Sequence, residues 1–225
     1  MRIGIITALA AEARTLTGRG NRLLGHAEFK LALAGPGPQR AEAAARQLLA
    51  EGCDALLSFG LAGGLDVGLR PGSLLVASAV YTAGGERYAC DEVLSAALMR
   101  AVQEQGAIAA PLYGAESPLF AAIDKQALHQ SLGVIAVDME SAAIARVAHA
   151  HGQPYAALRC VVDPADFSVP RAALAGMGED GRSRALATAL ALLAHPLELP
   201  ALIRLALWYG GALRVLRGAA AAICA

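Results

Sequence analysis

The sequence predicts an α/β domain with three layers, in which a mixed, mostly parallel central sheet is flanked by helices. Two observations predict it. Short apolar runs alternate with Ala-rich helical stretches along the 225 residues, the order of elements typical of this class. The runs are apolar throughout, without alternating polar residues, which is typical of strands covered by helices on both faces.

The individual elements follow from these runs and periodicities. The predicted strands are rich in Ile, Val, Leu or Ala: Ile3–Thr7, Phe29–Ala34, Ala55–Phe59, Ser73–Val80, Val134–Val137 and Tyr155–Val162. The predicted helices are Gln39–Ala50, Glu92–Gln105, Ser141–His151, Gly181–Ala194 and Leu199–Leu216, the last with a candidate break at Gly210-Gly211. We expect residues 1–196 to form one domain, and residues 197–225 to form a C-terminal apolar helical extension that is not an independent domain.

Composition and charge narrow the class of function. Hydrophobic residues make up 56% of the chain, above the roughly 45–50% of an average domain. The 19 basic and 19 acidic residues give a formal net charge of zero, which argues against nucleic-acid binding. The four cysteines form no CxxC pair and are expected to be small buried residues in a reducing compartment, without a metal site. The N-terminus has no signal-peptide pattern, so a cytoplasmic protein is expected.

Acidic residues follow three of the predicted strands. Glu12 comes soon after the first strand, Asp138 and Glu140 follow the fifth, and Asp163 follows the sixth. Ligands of open α/β sheets bind beyond the carboxyl ends of the strands, and an unpaired buried carboxylate is costly. The sequence therefore predicts a site at this edge of the sheet.

These acids suit cleavage of a glycosidic bond, which commonly needs one acid and one carboxylate base. Asp163 follows the apolar strand "AALRCVV", where burial would favour the protonated form of a proton donor. Glu12 is the candidate base. Glu140 lies at a predicted helix start, where the dipole favours a charged carboxylate that can accept sugar hydroxyls. The alternatives are an ordinary helix-start acid at Glu140 and a turn residue before Pro164 at Asp163.

Two glycine-rich segments are predicted to be turns beside this site. Gly35 and Gly37 precede a helix, and Gly60, Gly63 and Gly64 follow the third predicted strand. Glycine allows close approach of the backbone to a ligand, and a helix start presents free N–H groups. Neither segment fits the dinucleotide or phosphate-loop motifs, and an ordinary strand–helix bend is the alternative for each.

Three segments carry a resemblance to a known family. "RIGIITALAAEA", "LLSFGLAGGLDVGLRPGSLLVAS" and "VDMESAAIARVAHAHGQPYAALRCVVDPAD" resemble the purine nucleoside phosphorylase and methylthioadenosine/S-adenosylhomocysteine nucleosidase superfamily. The resemblance implies a nucleoside phosphorylase-like fold and an enzyme that cleaves an N-glycosidic bond. It implies that Met139 packs on the ribose, Glu140 binds its 2′- and 3′-hydroxyls, Asp163 protonates N7 of the purine, and Glu12 activates water. Asp138 is then expected to cap the helix or to form a structural pair.

The resemblance also bears on the rest of the site. It implies substrate contacts from Gly37 and Gly63, and a loop that covers the purine with Tyr113, Ser117 or Phe120. It implies a homo-oligomer without a cofactor, with phosphate as co-substrate only in a phosphorylase. Phosphorylases carry a phosphate-binding Arg and a Ser or Thr at the positions that resemble those of Ser58 and Leu61 here. Loss of the cation and the hydroxyl weakens a phosphate site and favours water as the nucleophile. Arg40 is an alternative anion contact. Val162, directly before the proton donor Asp163, stands where nucleosidases tend to have Ser.

The C-terminal segment "HPLELPALIRLALWYGGALRVLRG" resembles the extension of the hopanoid-associated phosphorylases, whose substrate is adenosylhopane. This resemblance implies release of adenine from a lipid-linked nucleoside. Arginines interrupt the segment, which argues against a spanning helix. It is expected either to lie peripherally at the inner membrane face or to dock on the core or a partner subunit. Phosphorolysis, an MTA/SAH nucleosidase, and a nucleoside-binding, membrane-docking protein without turnover are the alternatives.

Overall fold

The computed structural model describes residues 1–170, 172–173, 190–192 and 194–225. The strands in this part of the chain are β1 Arg2–Thr7, β2 Arg22–Leu23, β3 Ala27–Leu33, β4 Ala55–Gly64, β5 Leu74–Tyr81, β6 Arg87–Ala89, β7 Ile108–Gly114, β8 Ala136–Asp138 and β9 Tyr155–Val161. The longer helices are α1 Ala10–Leu16, α2 Pro38–Ala50, α3 Glu92–Ala101, α4 Ala122–Leu132, α5 Ser141–Ala150 and α6 Leu199–Ile223. Short 3₁₀ turns occupy Gln103–Gln105 and Pro196–Glu198.

The nine described strands form one mixed sheet in the order β2-β3-β1-β4-β8-β7-β5-β6, with β9 paired to both β4 and β5. Five strand pairs are parallel: β1–β3, β1–β4, β4–β9, β5–β7 and β7–β8. Four are antiparallel: β2–β3, β4–β8, β5–β6 and β5–β9. The predicted fold class is therefore confirmed: a mixed central sheet between helices.

Two apolar cores lie on opposite faces of this sheet. On one face, residues of α3 and α6 pack against β1, β4 and β9. On the other face, residues of α2 and α5 pack against the same strands. Consecutive strand residues therefore both point into apolar surroundings, which explains why the strands show no polar alternation.

Several short elements were not predicted. The helix α1 has only seven residues, too few to show a helical period. Strand β7 contains Pro111, which counts against a strand assignment. Helix α4 buries a single residue, Lys125, so it lacks the apolar stripe on which helix prediction depends. The predicted helix Gly181–Ala194 falls largely outside the described residues.

The prediction of a glycine-rich turn after the third predicted strand was wrong. Gly60, Gly63 and Gly64 belong to strand β4. A Cβ atom on Gly60 would lie 2.6 Å from both Glu12 Oε1 and Arg159 Nη1. A Cβ atom on Gly64 would lie 3.2 Å from the backbone oxygen of Asp163. The glycines are needed for close packing against the acidic groups, and the strand continues through them.

The C-terminal helix is continuous, so the candidate break at Gly210-Gly211 was wrong. Its C-terminal half is anchored in the core by Ala212, Leu216, Ala219, Ala220 and Ile223. Buried packing of this kind offsets the roughly 1 kcal/mol that each helical glycine costs. By length and composition alone, Pro196–Ile223 is apolar enough to cross a membrane. The anchoring of its second half in the core argues against a spanning role.

Candidate active site

A buried arginine on β9 draws the acids of two other segments together. Arg159 is 1% exposed, and its Nε lies 2.7 Å from Asp138 Oδ2. Its Nη2 lies 3.8 Å from Glu140 Oε2, and Nη2 also donates to the hydroxyls of Ser58 and Ser141. Burial alone would lower the pKa of Arg159, but the neighbouring carboxylates of Asp138, Glu140 and Glu12 raise it overall. The group is therefore a fixed cation at the centre of the acidic cluster.

The acid pair around Met139 has a division of roles. Asp138 Oδ1 accepts the backbone N–H groups of Glu140 and Ser141 at 3.1 and 2.9 Å, which satisfies free donors at the start of α5. Its other oxygen accepts the Ser141 hydroxyl and pairs with Arg159. Asp138 thus meets both parts of its expectation, as a helix cap and as a structural pair.

Glu140 is held at the cavity wall. Its Oε1 accepts the backbone N–H of Gly37 at 2.9 Å, so the glycine segment before α2 contacts this carboxylate. Burial raises the pKa of Glu140 to about 7, while the Arg159 guanidinium opposes that rise. Because this pKa is close to physiological pH, both the charged and the neutral form of the Glu140 carboxyl are accessible.

Glu12 lies just behind the cavity wall. The backbone N–H groups of Ala8 and Leu9 donate to its Oε2 at 3.0 and 2.8 Å, and that of Leu61 donates to Oε1 at 2.9 Å. These three donors belong to residues that line the cavity, whereas Glu12 itself does not line it. Burial raises the pKa of Glu12, and Arg159 and the three N–H groups oppose the rise.

Asp163 faces the cavity from the end of β9 and is paired with a lysine. Its Oδ2 accepts the Nζ of Lys125, which is fully buried. A Cβ atom on Gly63 would lie 3.3 Å from the same oxygen, so Gly63 leaves room for this carboxyl group. Burial raises the pKa of Asp163, and the Lys125 ammonium opposes the rise through its charge and its hydrogen bond.

These groups surround a cavity of about 650 Å³. Of the seven residues proposed from sequence, five line it: Gly63, Phe120, Met139, Glu140 and Asp163. Glu12 and Gly37 do not line the cavity, but each hydrogen-bonds to a residue that does: Glu12 to Leu9 and Gly37 to Glu140. The residues that line it do not include the other candidates for the purine loop, Tyr113 and Ser117. Tyr113 belongs to strand β7 and not to a loop. Helix α6 supplies part of the remaining wall, through Leu202, Leu205, Ala206 and Tyr209.

Three features of this site were not predicted from the sequence. Arg159 interrupts an otherwise apolar strand, and a charged residue in such a run is a usable signal of a buried, paired group. Lys125 gave no signal, because α4 has no apolar stripe that fixes which side faces inward. The contribution of α6 also gave none, since it depends on a contact between segments far apart in the chain.

Comparison with known proteins identifies the family of the chain. The family model described as "Phosphorylase superfamily" matches residues 3–198. The chain belongs to this superfamily. The prediction that the chain is an enzyme is confirmed at the level of the superfamily. Helix α6 lies beyond the matched residues. A search of curated proteins finds no match.

Three solved structures with the same fold illustrate the likeness. Futalosine hydrolase of Helicobacter pylori strain 26695 is 23% identical, with a TM-score of 0.67 over 74% of this chain and 86% of that one. The 5′-methylthioadenosine/S-adenosyl homocysteine nucleosidase of Helicobacter pylori is 22% identical, with a TM-score of 0.66 over 74% and 86%. The S-adenosylhomocysteine nucleosidase of Streptococcus pyogenes is 24% identical, with a TM-score of 0.67 over 73% and 84%. These likenesses support the fold.

The donor groups do not suggest a metal centre. Within the described ranges, no three His, Cys, Asp or Glu side chains are arranged to hold a metal ion. The cationic partners of the acids are instead Arg159 and Lys125. The arrangement offers proton transfer and binding of hydroxyl groups by the protein's own side chains.

Proposed function

We propose that the protein hydrolyses the N-glycosidic bond of an adenine nucleoside and releases adenine. The observation that carries the proposal is the common cavity of Asp163 and Glu140. The two carboxyl groups come from different segments, and they face one space of about 650 Å³, which is of the size that small-molecule sites have.

The two carboxyls have environments that suit different roles. Burial raises the pKa of Asp163, which favours a protonated carboxyl that can donate to N7 of the departing purine. Glu140 is held by Gly37 and faces the Arg159 cation, which favours a charged carboxylate that accepts the ribose hydroxyls. Met139 lines the cavity beside Glu140 and would pack on the sugar. Positive charge that grows on the ribose during bond cleavage would be stabilised by the Glu140 carboxylate.

Water is the proposed nucleophile. Glu12 Oε1 accepts one hydrogen bond from the protein, from Leu61, and a carboxylate oxygen can accept two. One acceptor position on Oε1 is therefore left for a water hydrogen, although Glu12 itself does not line the cavity. The hydroxyl of Ser58 contacts Arg159 and Ser141, and Leu61 has no polar side chain to offer phosphate. Glu12 is accordingly the proposed base that orients the attacking water.

Phosphorolysis is the second candidate, and one observation favours it. The cationic residue Arg14 lines the same cavity, and a guanidinium binds phosphate well. Reaction products distinguish the two mechanisms. Hydrolysis predicts equal adenine release with and without phosphate, whereas phosphate-dependent release with formation of a sugar 1-phosphate would establish phosphorolysis. Adenine that is never released from any nucleoside would contradict both mechanisms and favour a nucleoside-binding protein.

For the substrate, we propose adenosylhopane. The support is the resemblance of the C-terminal segment to the hopanoid-associated branch, together with the apolar side chains that α6 places on the cavity, among them Leu202 and Leu205. A large apolar group on the ribose 5′ carbon would lie against this wall. 5′-Methylthioadenosine and S-adenosylhomocysteine are the alternative substrates. Comparison of kcat/KM for adenosylhopane and methylthioadenosine tests the choice, and a preference for methylthioadenosine would contradict it.

We also propose that α6 contacts the membrane surface. Leu199, Ile203 and Leu207 recur every four residues and are 45%, 53% and 70% exposed, so they form one apolar stripe. The helix carries three arginines and no acidic residue, which favours anionic lipids. The double substitution Ile203→Ser/Leu207→Ser should reduce sedimentation with anionic vesicles. The control Val67→Ser, at a residue 71% exposed elsewhere, should not. Equal vesicle binding by the two variants would contradict the proposal. The alternative, in which α6 docks on a partner subunit, would then be tested.

A further inference from the structure

Helix α4 buries a lysine where an apolar residue would be expected. Lys125 is 0% exposed, and it is the one residue of α4 that the fold buries. Burying an ammonium group is costly unless it is paired and hydrogen-bonded. The position of Lys125 therefore calls for a reason beyond helix packing.

Three acceptors surround the Lys125 Nζ. One is Oδ2 of Asp163, and the others are the backbone oxygens of Pro164 at 3.1 Å and Phe167 at 2.9 Å. An ammonium group has three N–H donors and no acceptor, so the geometry is that of a charged lysine with every proton bound. All three acceptors belong to the segment that follows β9 and carries Asp163.

We propose that Lys125 is a positioning residue for the reaction, which fixes one oxygen of Asp163 and sets the pH above which Asp163 can no longer donate a proton. The inference rests on the proposed function, because it assigns Lys125 a task through the proton donor of that reaction. With Oδ2 bound to the ammonium, the transferable proton is carried on Oδ1. Its transfer to the purine nitrogen leaves a carboxylate beside the Lys125 cation, which stabilises the charge that forms.

The charge of Lys125 acts in the direction opposite to burial. A cation next to a carboxyl favours the ionised form, so Lys125 limits how far burial raises the pKa of Asp163. Other titratable or charged groups face Asp163 across the cavity or lie on the neighbouring segments: Arg14, Asp124, Asp138, Glu140, Asp166 and Tyr209. Asp138 and Glu140 are themselves paired with Arg159, and Asp124 and Asp166 are exposed. Among the described residues, Lys125 is therefore the charged group that bonds directly to Asp163.

Two substitutions separate the charge from the packing. Lys125→Gln removes the cation but keeps N–H donors for the backbone oxygens, and Lys125→Arg keeps the cation. The chain has one other lysine, Lys30, which pairs with Glu51 on the surface at 2.6 Å. Lys30→Gln is therefore the matched control.

The readout is the pH dependence of kcat for adenine release. In Lys125→Gln the alkaline limb should move up by about one unit or more, because the cation that favours ionised Asp163 is lost. Its plateau kcat should fall by about tenfold or more through lost orientation, with KM nearly unchanged. Lys125→Arg and Lys30→Gln should keep the limb of the wild type. A folded Lys125→Gln protein with an unmoved limb would overturn the proposal.

A second measurement depends neither on turnover nor on the folding of Lys125→Gln. In wild-type protein labelled with ¹⁵N-lysine, the Lys125 Nζ should give a protected ammonium signal, assigned by its persistence in Lys30→Gln. This signal should change in Asp163→Asn, and a neutral amine at pH 7 would contradict the proposal. If the wild type releases no adenine from any nucleoside, the proposed function fails, while the Nζ signal still decides whether the buried lysine is charged.

Discussion

Replacement of Arg159 by methionine should destabilise the protein in a pH-dependent way. The guanidinium contacts Asp138 and faces Glu140, and removing one partner of a buried ion pair typically costs about 3–5 kcal/mol. We expect a loss of this size in the free energy of unfolding at pH 8. Methionine has a similar length and fills the space, so the loss reports the uncompensated acids.

The pH dependence follows from the pKa of Glu140, which burial raises from 4.5 to about 7. The folded state then holds the proton more tightly than the unfolded state, so stability is lost as pH rises from the unfolded towards the folded pKa. Without Arg159, which lowers this pKa, the loss continues above pH 7. One extra bound proton is worth about 1.4 kcal/mol per pH unit. The deficit of Arg159→Met should therefore grow by about 1.4 kcal/mol or more between pH 6 and pH 8.

Urea unfolding followed by circular dichroism at the two pH values measures this deficit. Arg146→Met is the matched control, because Arg146 pairs with Glu42 at the surface and is 51% exposed. It should cost well under about 1 kcal/mol at both pH values. A deficit of Arg159→Met that is the same at pH 6 and pH 8 would refute the reasoning, since the acids would then not depend on the cation for their charge.

Three further changes test the site. Glu140→Gln should lower kcat/KM by about tenfold or more and should remove the acid limb near pH 7 that protonation of Glu140 produces; a retained limb would assign it to another group. Gly60→Ala should disrupt the protein, because its Cβ would lie 2.6 Å from Glu12 and Arg159; a thermal midpoint within a degree of the wild type would contradict the packing. Phe120→Ala should raise KM about tenfold for the nucleoside with less effect on kcat, and an unchanged KM would exclude base stacking there.

The fold was predictable because its strands are buried on both faces. Ile3, Ile5 and Ile6 of β1, for example, are all essentially inaccessible, although neighbours on a strand point to opposite sides. Such runs need no tertiary information to be recognised. The extent of β4 was less predictable, because Gly60 has no side chain to indicate a strand, and a Cβ atom there would meet the side chains of Glu12 and Arg159.

The carboxylates of the site were predictable from their places after apolar strands, whereas their partners were not. Asp163 follows an apolar run, and its burial is inferred from that run alone. Lys125, which binds it, is 38 residues away on a helix without an apolar stripe. The part of the wall supplied by α6 likewise depends on packing between segments that are far apart in the chain. Long-range pairing of this kind leaves no local pattern in one sequence.

Release of adenine from 5′-methylthioadenosine in phosphate-free buffer, compared between wild type and Asp163→Asn, tests the central claim most directly. Loss of a general acid typically costs about 10²–10⁴-fold, so the variant should bind the nucleoside with a similar Kd while its single-turnover rate falls by at least about a hundredfold. Equal rates for the two proteins would contradict the claim that Asp163 hands a proton to the departing base.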